Sequence, residues 1–391
     1  MSVRTADVAI VGGGLMGVWT AYFLARRGTR VAVLDKGLVG AQASGVNFGN
    51  LRLQGRHPGQ YPLALRSHAL WETIDTLIGE PCEFAATGHL YIAADAGEHD
   101  KLVQYARDAE AHGLSIERLS GDELRQRWPW LGGELHSGTF SARDATANPR
   151  LVSPAVMRTA QRLGAGCYQN TPVVDARAEQ DGFVLETSTG DRLSCAKLVN
   201  TAGAWALDIA GRFGESAQLF AAGPPQFVTE PLPYAIVPSV QAVSGSVIFR
   251  QVARGNVIVA GYPRTAADPL LDRTRVPARK VLTAMAHLSR MAPMLRGARV
   301  IRAWSGIEGY CADMLPVIET SETTPGLFHA FGFCGHGFQL GPGVGAVLSE
   351  MILDGATPTP LAPFSIGRFR RGVAVSEKIA REFDAPGDRG A

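Results

Sequence analysis

A glycine-rich turn between a strand and a helix is the feature that most constrains the fold of this chain. Residues 7–11 predict a short buried strand, and the hexapeptide GGGLMG at Gly12–Gly17 follows it directly. An apolar helix is predicted over 15–27 and a second strand over 30–34, which ends at Asp35. A G-x-G-x-x-G pattern in this strand–helix–strand context predicts a dinucleotide site.

Each glycine of the pattern has its own physical role. Gly12 permits the tight turn, Gly14 lets the backbone approach a pyrophosphate, and Gly17 lets the helix pack closely on the strand. The helix N-terminus offers N–H groups and a partial positive charge to phosphates. Asp35 lies 21 residues after Gly14, where a carboxylate accepts hydrogen bonds from ribose hydroxyls. The pattern leaves open which dinucleotide binds.

Length and composition describe a globular protein with no electrostatic preference for nucleic acid. The chain has 391 residues, 46% of them hydrophobic and 19% charged, and a net charge of +2. The five cysteines are scattered with no C-x-x-C pair, which argues against a disulfide framework or a metal site and for a reducing compartment. The early first strand leaves no room for a signal peptide, and no apolar run could span a bilayer. We expect a cytoplasmic protein, and a peripheral position at the inner membrane face stays open.

The order of predicted elements indicates an α/β protein with two interleaved domains. Helices and strands alternate near both ends, whereas alternating strands dominate 227–260. We expect a nucleotide-binding domain over 1–80, 146–215 and 304–391, and a β-rich substrate or cap domain over 81–145 and 216–303.

A second glycine-rich segment, Gly332–Gly343, follows a predicted strand over 327–331 and opens a helix that reaches Leu353. A nicotinamide enzyme needs only one such element. A flavoprotein can use a second, because backbone amides at glycines approach the pyrimidine edge of isoalloxazine and a helix N-terminus stabilises charge on the reduced ring. The two segments together favour FAD over NAD.

Five segments together resemble a known family: Gly12–Gly17, Gly40–Gly45 with Asn47, Val199–Trp205, Trp304–Gly306 and Gly332–Phe338. Over nearly its whole length the chain resembles the FAD-dependent D-amino-acid oxidase superfamily. That superfamily includes glycine oxidase, sarcosine and proline oxidoreductases and bacterial D-amino-acid dehydrogenases. The resemblance implies an FAD-binding Rossmann-like domain of the glutathione-reductase type, interleaved with a substrate domain built on an antiparallel sheet.

The resemblance also implies an extended FAD, with the pyrophosphate on the first glycine turn and the pyrimidine edge at the second. Some relatives attach the flavin to a cysteine, but the equivalent position here is Gly306 and Cys311 falls several residues later, so we expect non-covalent FAD. The expected FAD contacts are Gly12, Gly14, Leu15, Met16, Gly17, Asp35, Lys36, Gln42, Ala43, Ser44, Asn47, Phe48, Gly49, Val173, Ala202, Gly203, Trp205, Gly306, Gly335, His336, Gly337 and Phe338.

The resemblance implies oxidation of the CH–NH bond of an amino or cyclic imino acid by hydride transfer to flavin N5, giving an imine or 2-oxo acid. Cofactor chemistry of this kind requires no catalytic base, although His336 and Glu308 could assist. An arginine is expected on the substrate carboxylate. Arg52 is the first candidate. The other substrate-site residues are expected to be Arg56, Arg250 and Tyr262.

The chain departs from its relatives at two substrate positions. Glu308 stands where glycine-oxidase-like enzymes carry an arginine, and Gln339 stands where sarcosine-oxidase-like enzymes carry a lysine. Glu308 suggests a substrate with extra positive or donor character, such as a hydroxylated imino acid, a basic amino acid or an opine-like one. A buried structural salt bridge explains Glu308 equally well.

The electron acceptor is predicted from the scarcity of lysine. Oxygen-using relatives of the sarcosine type place a lysine over the flavin, but the matching strand over 257–262 has none and the chain has only five. We therefore expect a dehydrogenase that passes electrons to a quinone, a dye or a partner protein. Two alternatives remain open: a 2-hydroxy-acid dehydrogenase of the same fold, and the flavin subunit of a multi-protein electron-transfer complex.

Overall fold

The computed structural model describes residues 3–261 and 263–384. Its strands, in chain order, are β1 (Val3–Val11), β2 (Val31–Leu34), β3 (Asn50–Leu51), β4 (His89–Ala93), β5 (Glu117–Ser120), β6 (Ser137–Ser141), β7 (Ala145–Thr146), β8 (Gly166–Tyr168), β9 (Val173–Glu179), β10 (Gly182–Thr187), β11 (Arg192–Asn200), β12 (Leu219–Gly223), β13 (Gln226–Pro231), β14 (Ser239–Ala242), β15 (Ile248–Gln251), β16 (Asn256–Ala260), β17 (Thr265–Asp268), β18 (Arg273–Thr274), β19 (Val300–Trp304), β20 (Glu308–Cys311), β21 (Val317–Thr320) and β22 (Leu327–Phe331).

Short 3-10 turns and eleven described α-helices connect these strands. The α-helices are α1 (Leu15–Arg26), α2 (Ala43–Val46), α3 (Tyr61–Trp71), α4 (Ile74–Ile78), α5 (Ala96–Glu110), α6 (Gly121–Arg127), α7 (Pro149–Arg162), α8 (Ala206–Ala210), α9 (Ala278–Met291), α10 (Gly337–Leu353) and α11 (Glu377–Glu382). Among the described helices, none is long and apolar enough to cross a membrane.

The first sheet carries the predicted opening unit. Its strand order is β21-β22-β11-β1-β2-β8, with β10 and β9 attached beside β11. The run from β22 to β8 is parallel, whereas β21, β10 and β9 pair antiparallel with their neighbours. All four residues of β2 are buried, which explains why its sequence is a continuous apolar run. The predicted α/β class is confirmed.

The second large sheet is mixed and has the strand order β19-β13-β16-β15-β14-β4-β6-β5. Its strands come from 89–141 and from 226–304, while a smaller sheet, β18-β17-β12-β20, joins the middle of the chain to β20. The larger sheet therefore draws on both segments expected for the cap domain. The exact division into domains stays a prediction.

Helices α1 and α10 pack closely and point both glycine-rich turns at the same place. A Cβ on Gly345 of α10 would lie 2.5 Å from the Cβ of Trp19 on α1, so only glycine permits this approach. Trp19 is fully buried. The N-termini of the two helices follow Val11 and Phe331, the last residues of the parallel strands β1 and β22.

Several predicted boundaries differ from the structure for physical reasons. Residues 62–78 carry an apolar stripe at helical spacing that predicts one helix, but they form two, α3 and α4, because the chain turns between Trp71 and Ile74. Residues 37–59 are rich in glycine and polar residues and predict a loop, but they contain the short helix α2 and the strand β3, which pairs with β7 from a distant segment. Such pairing leaves no local sequence signal. By contrast, the alternating or continuous apolar residues at 89–93 and 327–331 each predict a strand, and β4 and β22 have these bounds.

Candidate active site

An elongated cavity of about 600 Å³ opens at the carboxyl ends of the parallel strands. Val11, Leu34 and Phe331, the last residues of β1, β2 and β22, all line it. In open α/β sheets this edge is where ligands bind. The lining runs from Asp35 beside the first glycine turn to His336 beside the second, so one cavity joins both turns.

The first glycine turn has the geometry that the sequence predicts. Gly12 has a φ of +107°, and a Cβ there would lie 2.4 Å from the carbonyl oxygen of Thr201. A Cβ on Gly17 would lie 2.0 Å from the carbonyl oxygen of Gly12, so Gly17 serves packing and does not line the cavity. Gly14 does line it, and the Leu15 N–H donates to Ser44 Oγ at 2.8 Å.

Asp35 organises the backbone around the adenosine end of the cavity. Its Oδ2 accepts the Gly13 N–H at 2.6 Å and its Oδ1 accepts the Gly37 N–H at 2.7 Å. Because each carboxylate oxygen can accept more than one hydrogen bond, the same group can also accept ribose hydroxyls. The arrangement fits the role predicted for Asp35 and shows a second one, the support of the glycine turn.

Lys36 and Trp205 hold the loop between β17 and β18 over this end. Lys36 Nζ lies 3.4 Å from the Trp205 ring centroid and forms an ion pair with Asp272. The Trp205 Nε1–H donates to the carbonyl oxygen of Pro269 at 2.8 Å. Leu270 of this loop also lines the cavity.

At the other end, Asn47 orders the loop that borders the cavity. Its Nδ2 donates to the carbonyl oxygens of Ala43 and Ser44, and its Oδ1 accepts the Gly49 N–H at 2.8 Å. Gly306 packs behind this loop: a Cβ there would lie 2.1 Å from Val46 Cγ2. Gly306 is therefore outside the described lining, and its role is to let the two segments approach.

His336 holds Arg52 at the wall of the cavity. His336 Nδ1 lies 3.0 Å from Gln60 Oε1, which can only accept, so the proton is assigned to Nδ1. Nε2 then accepts from Arg52 Nη2 at 3.3 Å. Desolvation, together with the positive charges of Arg56 and Arg52, lowers the pKa of His336 well below its usual value. The imidazole is therefore neutral and acts as a hydrogen-bond acceptor for a guanidinium.

Arg52 is fixed by its own loop as well as by His336. Its Nη1 donates to the carbonyl oxygens of Gln54 and Gly55, the latter at 3.0 Å, and its guanidinium carbon lies 5.6 Å from the Tyr91 ring centroid. These contacts present a charged guanidinium to the cavity in one orientation.

The other two candidate arginines have different positions. Arg56 is buried and lines the cavity; its Nε and Nη2 donate to the Arg52 carbonyl oxygen, and burial lowers its pKa to about 9. Arg250 does not belong to the described lining. Its Nε donates to the carbonyl oxygen of Phe48 at 2.8 Å, so it supports the loop from behind. Tyr262 lies outside the described residues.

Glu308 lines the cavity, but its carboxylate is engaged with neutral groups. Its Oε1 accepts the Gly335 N–H at 2.7 Å, and its Oε2 accepts the Tyr310 hydroxyl. Within the described residues, Glu308 therefore forms these two hydrogen bonds and not the buried salt bridge that the sequence also allowed. Glu308 therefore fixes the second glycine turn by its backbone.

The thiol beside this turn is a poor nucleophile. Cys334 lines the cavity, but its side chain is buried, accepts the Cys311 N–H at 3.2 Å and donates to the carbonyl oxygen of Gly332 at 3.0 Å. Burial raises the pKa of the Cys334 thiol well above its usual value. Covalent attachment needs a thiolate, so this environment favours non-covalent cofactor binding.

Apart from Gly17 and Gly306, every residue expected at FAD lines the described cavity, as do Arg52, Arg56, Glu308 and His336. Two groups of lining residues were not predicted, because distant segments bring them to the site. Tyr91, Tyr105, Gln241 and Ile248 come from the second large sheet and helix α5, and Arg264, Lys378 and Arg381 come from the residue before β17 and from α11.

The structure thus has a cavity with a nucleotide-binding turn at one end and an amide-rich turn at the other. The family model described as "FAD dependent oxidoreductase" matches residues 7–351, and the chain belongs to that family. FAD is its cofactor, and the chain is an FAD-dependent oxidoreductase. The glycine cradle and Asp35 fit the adenosine diphosphate half, while Gly335 and Gly337 fit the flavin end.

Similar proteins cover almost the whole chain. It is 30% identical over 378 residues to a glycine oxidase of Geobacillus kaustophilus (strain HTA426), covering 94% of this chain and 98% of that protein. It is 27% identical over 384 residues to the sarcosine oxidase subunit beta of Rhizobium meliloti (strain 1021), covering 95% and 90%. Its fold is similar to that of an L-proline dehydrogenase from P. horikoshii, with a TM-score of 0.89, 23% identity and coverage of 95% and 100%.

Proposed function

We propose that this flavoprotein oxidises the CH–NH bond of an amino or cyclic imino acid and works as a dehydrogenase. The observation that carries the proposal is the guanidinium of Arg52, held beside the second glycine turn by His336 and two backbone carbonyls. The similar proteins are named for glycine, sarcosine and proline, which share a carboxylate next to an amine-bearing carbon.

Arg52 is the group we expect to bind the substrate carboxylate. A guanidinium matches two carboxylate oxygens, and a bond between charged groups is stronger and more directional than a neutral one. Its fixed orientation would align the C–H bond of the substrate with the cofactor ring, since positioning is the protein's main contribution in cofactor chemistry. When bound, FAD supplies the hydride acceptor.

The neutral state of His336 suits this arrangement. A protonated imidazole would repel Arg52 and would have no lone pair to accept its N–H. The depressed pKa of His336 keeps the Arg52 contact intact through the neutral range. His336 is therefore a positioning residue for Arg52, and no protein base is needed in the proposed reaction.

The dehydrogenase assignment rests on the strand that borders the cavity. Ala260 at the end of β16 lines the cavity, and β16 contributes no lysine. Two of the five lysines line the cavity, Lys36 at the adenosine end and Lys378 from the C-terminal part of the chain. The electron acceptor is identified by following reoxidation of the reduced enzyme with a quinone, with a dye and with oxygen.

The test of the carboxylate assignment is Arg52→Ala beside Arg107→Ala, an arginine exposed on α5. Loss of one hydrogen-bonded charge contact corresponds to about 1.5–3 kcal/mol, so KM for amino acids should rise about 10- to 100-fold in the first variant only. An unchanged KM in Arg52→Ala contradicts the assignment. Reduction by 2-hydroxy acids but not by amino acids would favour the hydroxy-acid alternative.

A second candidate is a flavin subunit of a multi-protein complex. The observation in its favour is the 27% identity to a protein named as a subunit, sarcosine oxidase subunit beta. The purified single chain distinguishes the two. Dye reduction by amino acids without any partner supports the first proposal, whereas activity that appears only with a partner protein supports the second.

A further inference from the structure

The segment Ser376–Asp384, which we call the C-terminal strap, crosses from the FAD-binding part of the chain to the cap. Its first residue donates its N–H to the carbonyl oxygen of Ala312 at 2.8 Å. Further along, Glu382 forms a buried ion pair with Arg264 at 2.8 Å, and Asp384 forms one with Lys280 at 2.8 Å. The strap is therefore anchored at both ends.

This anchoring places Lys378 of α11 at the cavity wall. Lys378 lines the cavity, and its charge lies close enough to His336 to contribute to the lowered pKa of that imidazole. Desolvation lowers the pKa of Lys378, the charge of Glu382 opposes that shift, and the charges of Arg52, Arg381 and Arg264 add to it. Lys378 and Arg52 thus line the same cavity from different segments.

The cations at this end differ in how they are neutralised. Glu382 pairs with Arg264 at 2.8 Å and with Arg381 at 3.0 Å. Glu308 gives its oxygens to the Gly335 N–H and to a tyrosine hydroxyl. Within residues 3–261 and 263–384, no carboxylate lies within ion-pair distance of Lys378 Nζ.

We propose that Lys378 binds a second carboxylate of the substrate, so that the enzyme selects amino acids with two carboxylates. Arg52 takes the carboxylate next to the oxidised carbon, and Lys378 takes one on the side chain or on an N-linked carboxyalkyl group. This inference rests on the proposed function and names its substrate class. It replaces the positively charged substrate that Glu308 suggested in the sequence, because Glu308 is engaged with the glycine turn.

The physical reason is charge balance in a partly desolvated chamber. Glu382 is shared among Lys378, Arg264 and Arg381, so a substrate with one carboxylate can neutralise Arg52 but leaves an excess of positive charge around Lys378, whereas a dicarboxylate neutralises both. An ammonium group is a compact donor that accepts many approach angles, so it suits a variable second carboxylate better than a rigid guanidinium would. The strap thus acts as a specificity element.

The first experiment measures anaerobic flavin reduction with matched pairs of substrates. Alanine is compared with aspartate in both enantiomers, and N-methylglycine with N-carboxymethylglycine. We expect the dicarboxylate of a reactive pair to have a kcat/KM about tenfold higher or more, from one added charge-assisted contact. Equal or higher efficiency for the monocarboxylates would overturn the inference while leaving the proposed function intact. Failure of all amino acids would overturn both.

The second experiment assigns the preference to Lys378. In Lys378→Met the ratio of dicarboxylate to monocarboxylate efficiency should fall about tenfold, and Lys378→Arg should restore part of it. Lys101→Met, at an exposed position on α5, is the matched control and should keep the wild-type ratio. A ratio unchanged in Lys378→Met contradicts the inference. This holds even if the variant also reacts more slowly with oxygen.

A binding measurement separates recognition from turnover. Calorimetric titration of the FAD-loaded enzyme with succinate and with butyrate uses ligands that have no amine to oxidise. We expect succinate to bind the wild type more tightly and the difference to shrink in Lys378→Met. Thermal melting of each variant checks that the strap stays docked. Equal affinities for the two ligands in the wild type would contradict a second carboxylate site.

Discussion

Replacement of Glu308 distinguishes support of the glycine turn from contact with the substrate. In the structure, Glu308 Oε1 accepts the Gly335 N–H at 2.7 Å and Oε2 accepts the Tyr310 hydroxyl. Glu308→Gln keeps the shape: the amide oxygen can accept from Gly335 and the amide nitrogen can donate to the tyrosine oxygen. Glu308→Ala removes both contacts.

The two variants should differ in magnitude. A hydrogen bond to a charged group contributes about 1.5–3 kcal/mol, and a neutral one about 0.5–1.5 kcal/mol. Glu308→Gln should therefore weaken the turn by about 1 kcal/mol, which is about fivefold in an equilibrium constant. Glu308→Ala removes both contacts of the carboxylate and should cost about 2 kcal/mol, roughly 30-fold.

The assay is fluorescence titration of the apoprotein with FAD, followed by the anaerobic rate of flavin reduction. We expect the dissociation constant of FAD to rise slightly in Glu308→Gln and strongly in Glu308→Ala, because the turn at Gly335 faces the flavin end. Glu134→Ala, an exposed residue, is the control and should bind FAD as the wild type does.

One result would refute this interpretation of Glu308. If the carboxylate contacts a positive group of the substrate, Glu308→Gln would raise KM for that substrate about 30-fold or more, since loss of one partner of a buried charge pair costs about 2–5 kcal/mol. FAD affinity would then stay at the wild-type value in both variants. That pattern would restore the substrate with positive character that the sequence suggested.

Three further outcomes follow from the geometry. Gly17→Ala should abolish FAD retention, because the new Cβ would lie 2.0 Å from the Gly12 carbonyl oxygen. Gly211→Ala, whose new Cβ would have no atom within 4 Å, should retain FAD. Bound FAD is measured by absorbance after gel filtration. Burial raises the pKa of Asp144 from 3.8 to about 6, so the folded state binds more protons than the unfolded chain in that window and loses stability as pH rises through it. Asp144→Asn should thus raise the free energy of unfolding at neutral pH by up to about 3 kcal/mol and lose that advantage in acid; equal gains at both pH values in urea titrations would contradict this. Acid precipitation should release all the flavin, because the Cys334 thiol is buried and protonated; flavin that stays with the protein would show covalent attachment.

Local patterns in the sequence were sufficient for the parts of the site that lie on consecutive residues. The turn at Gly12–Gly17 and the acidic residue Asp35 sit within one strand–helix–strand unit, where spacing determines geometry. The second turn was found for the same reason, since β22 leads directly into it and α10 follows. Both turns line one cavity, as the extended FAD pose requires.

The substrate end was harder to predict because tertiary contacts decide it. Arg250 lies on β15, but its side chain runs behind the loop and donates to the Phe48 carbonyl oxygen. No spacing rule in the sequence predicts this contact. Lys378 lies on a strap that Glu382 ties to Arg264, more than a hundred residues earlier, so its position at the cavity depends on long-range contacts. The one signal for Lys378 in the sequence was the scarcity of lysine, which makes each lysine of the chain a candidate functional group.

The most direct test of the central claim is an anaerobic spectral titration of the purified FAD-loaded chain. D-, L-, N-methyl and cyclic amino acids are added in turn, together with the corresponding 2-hydroxy acids, and the oxidised flavin band is followed. We predict that at least one class of amino acid bleaches the band and that its 2-hydroxy analogue does not. Bleaching by hydroxy acids alone, or by no amino acid even with dye present, would contradict the account.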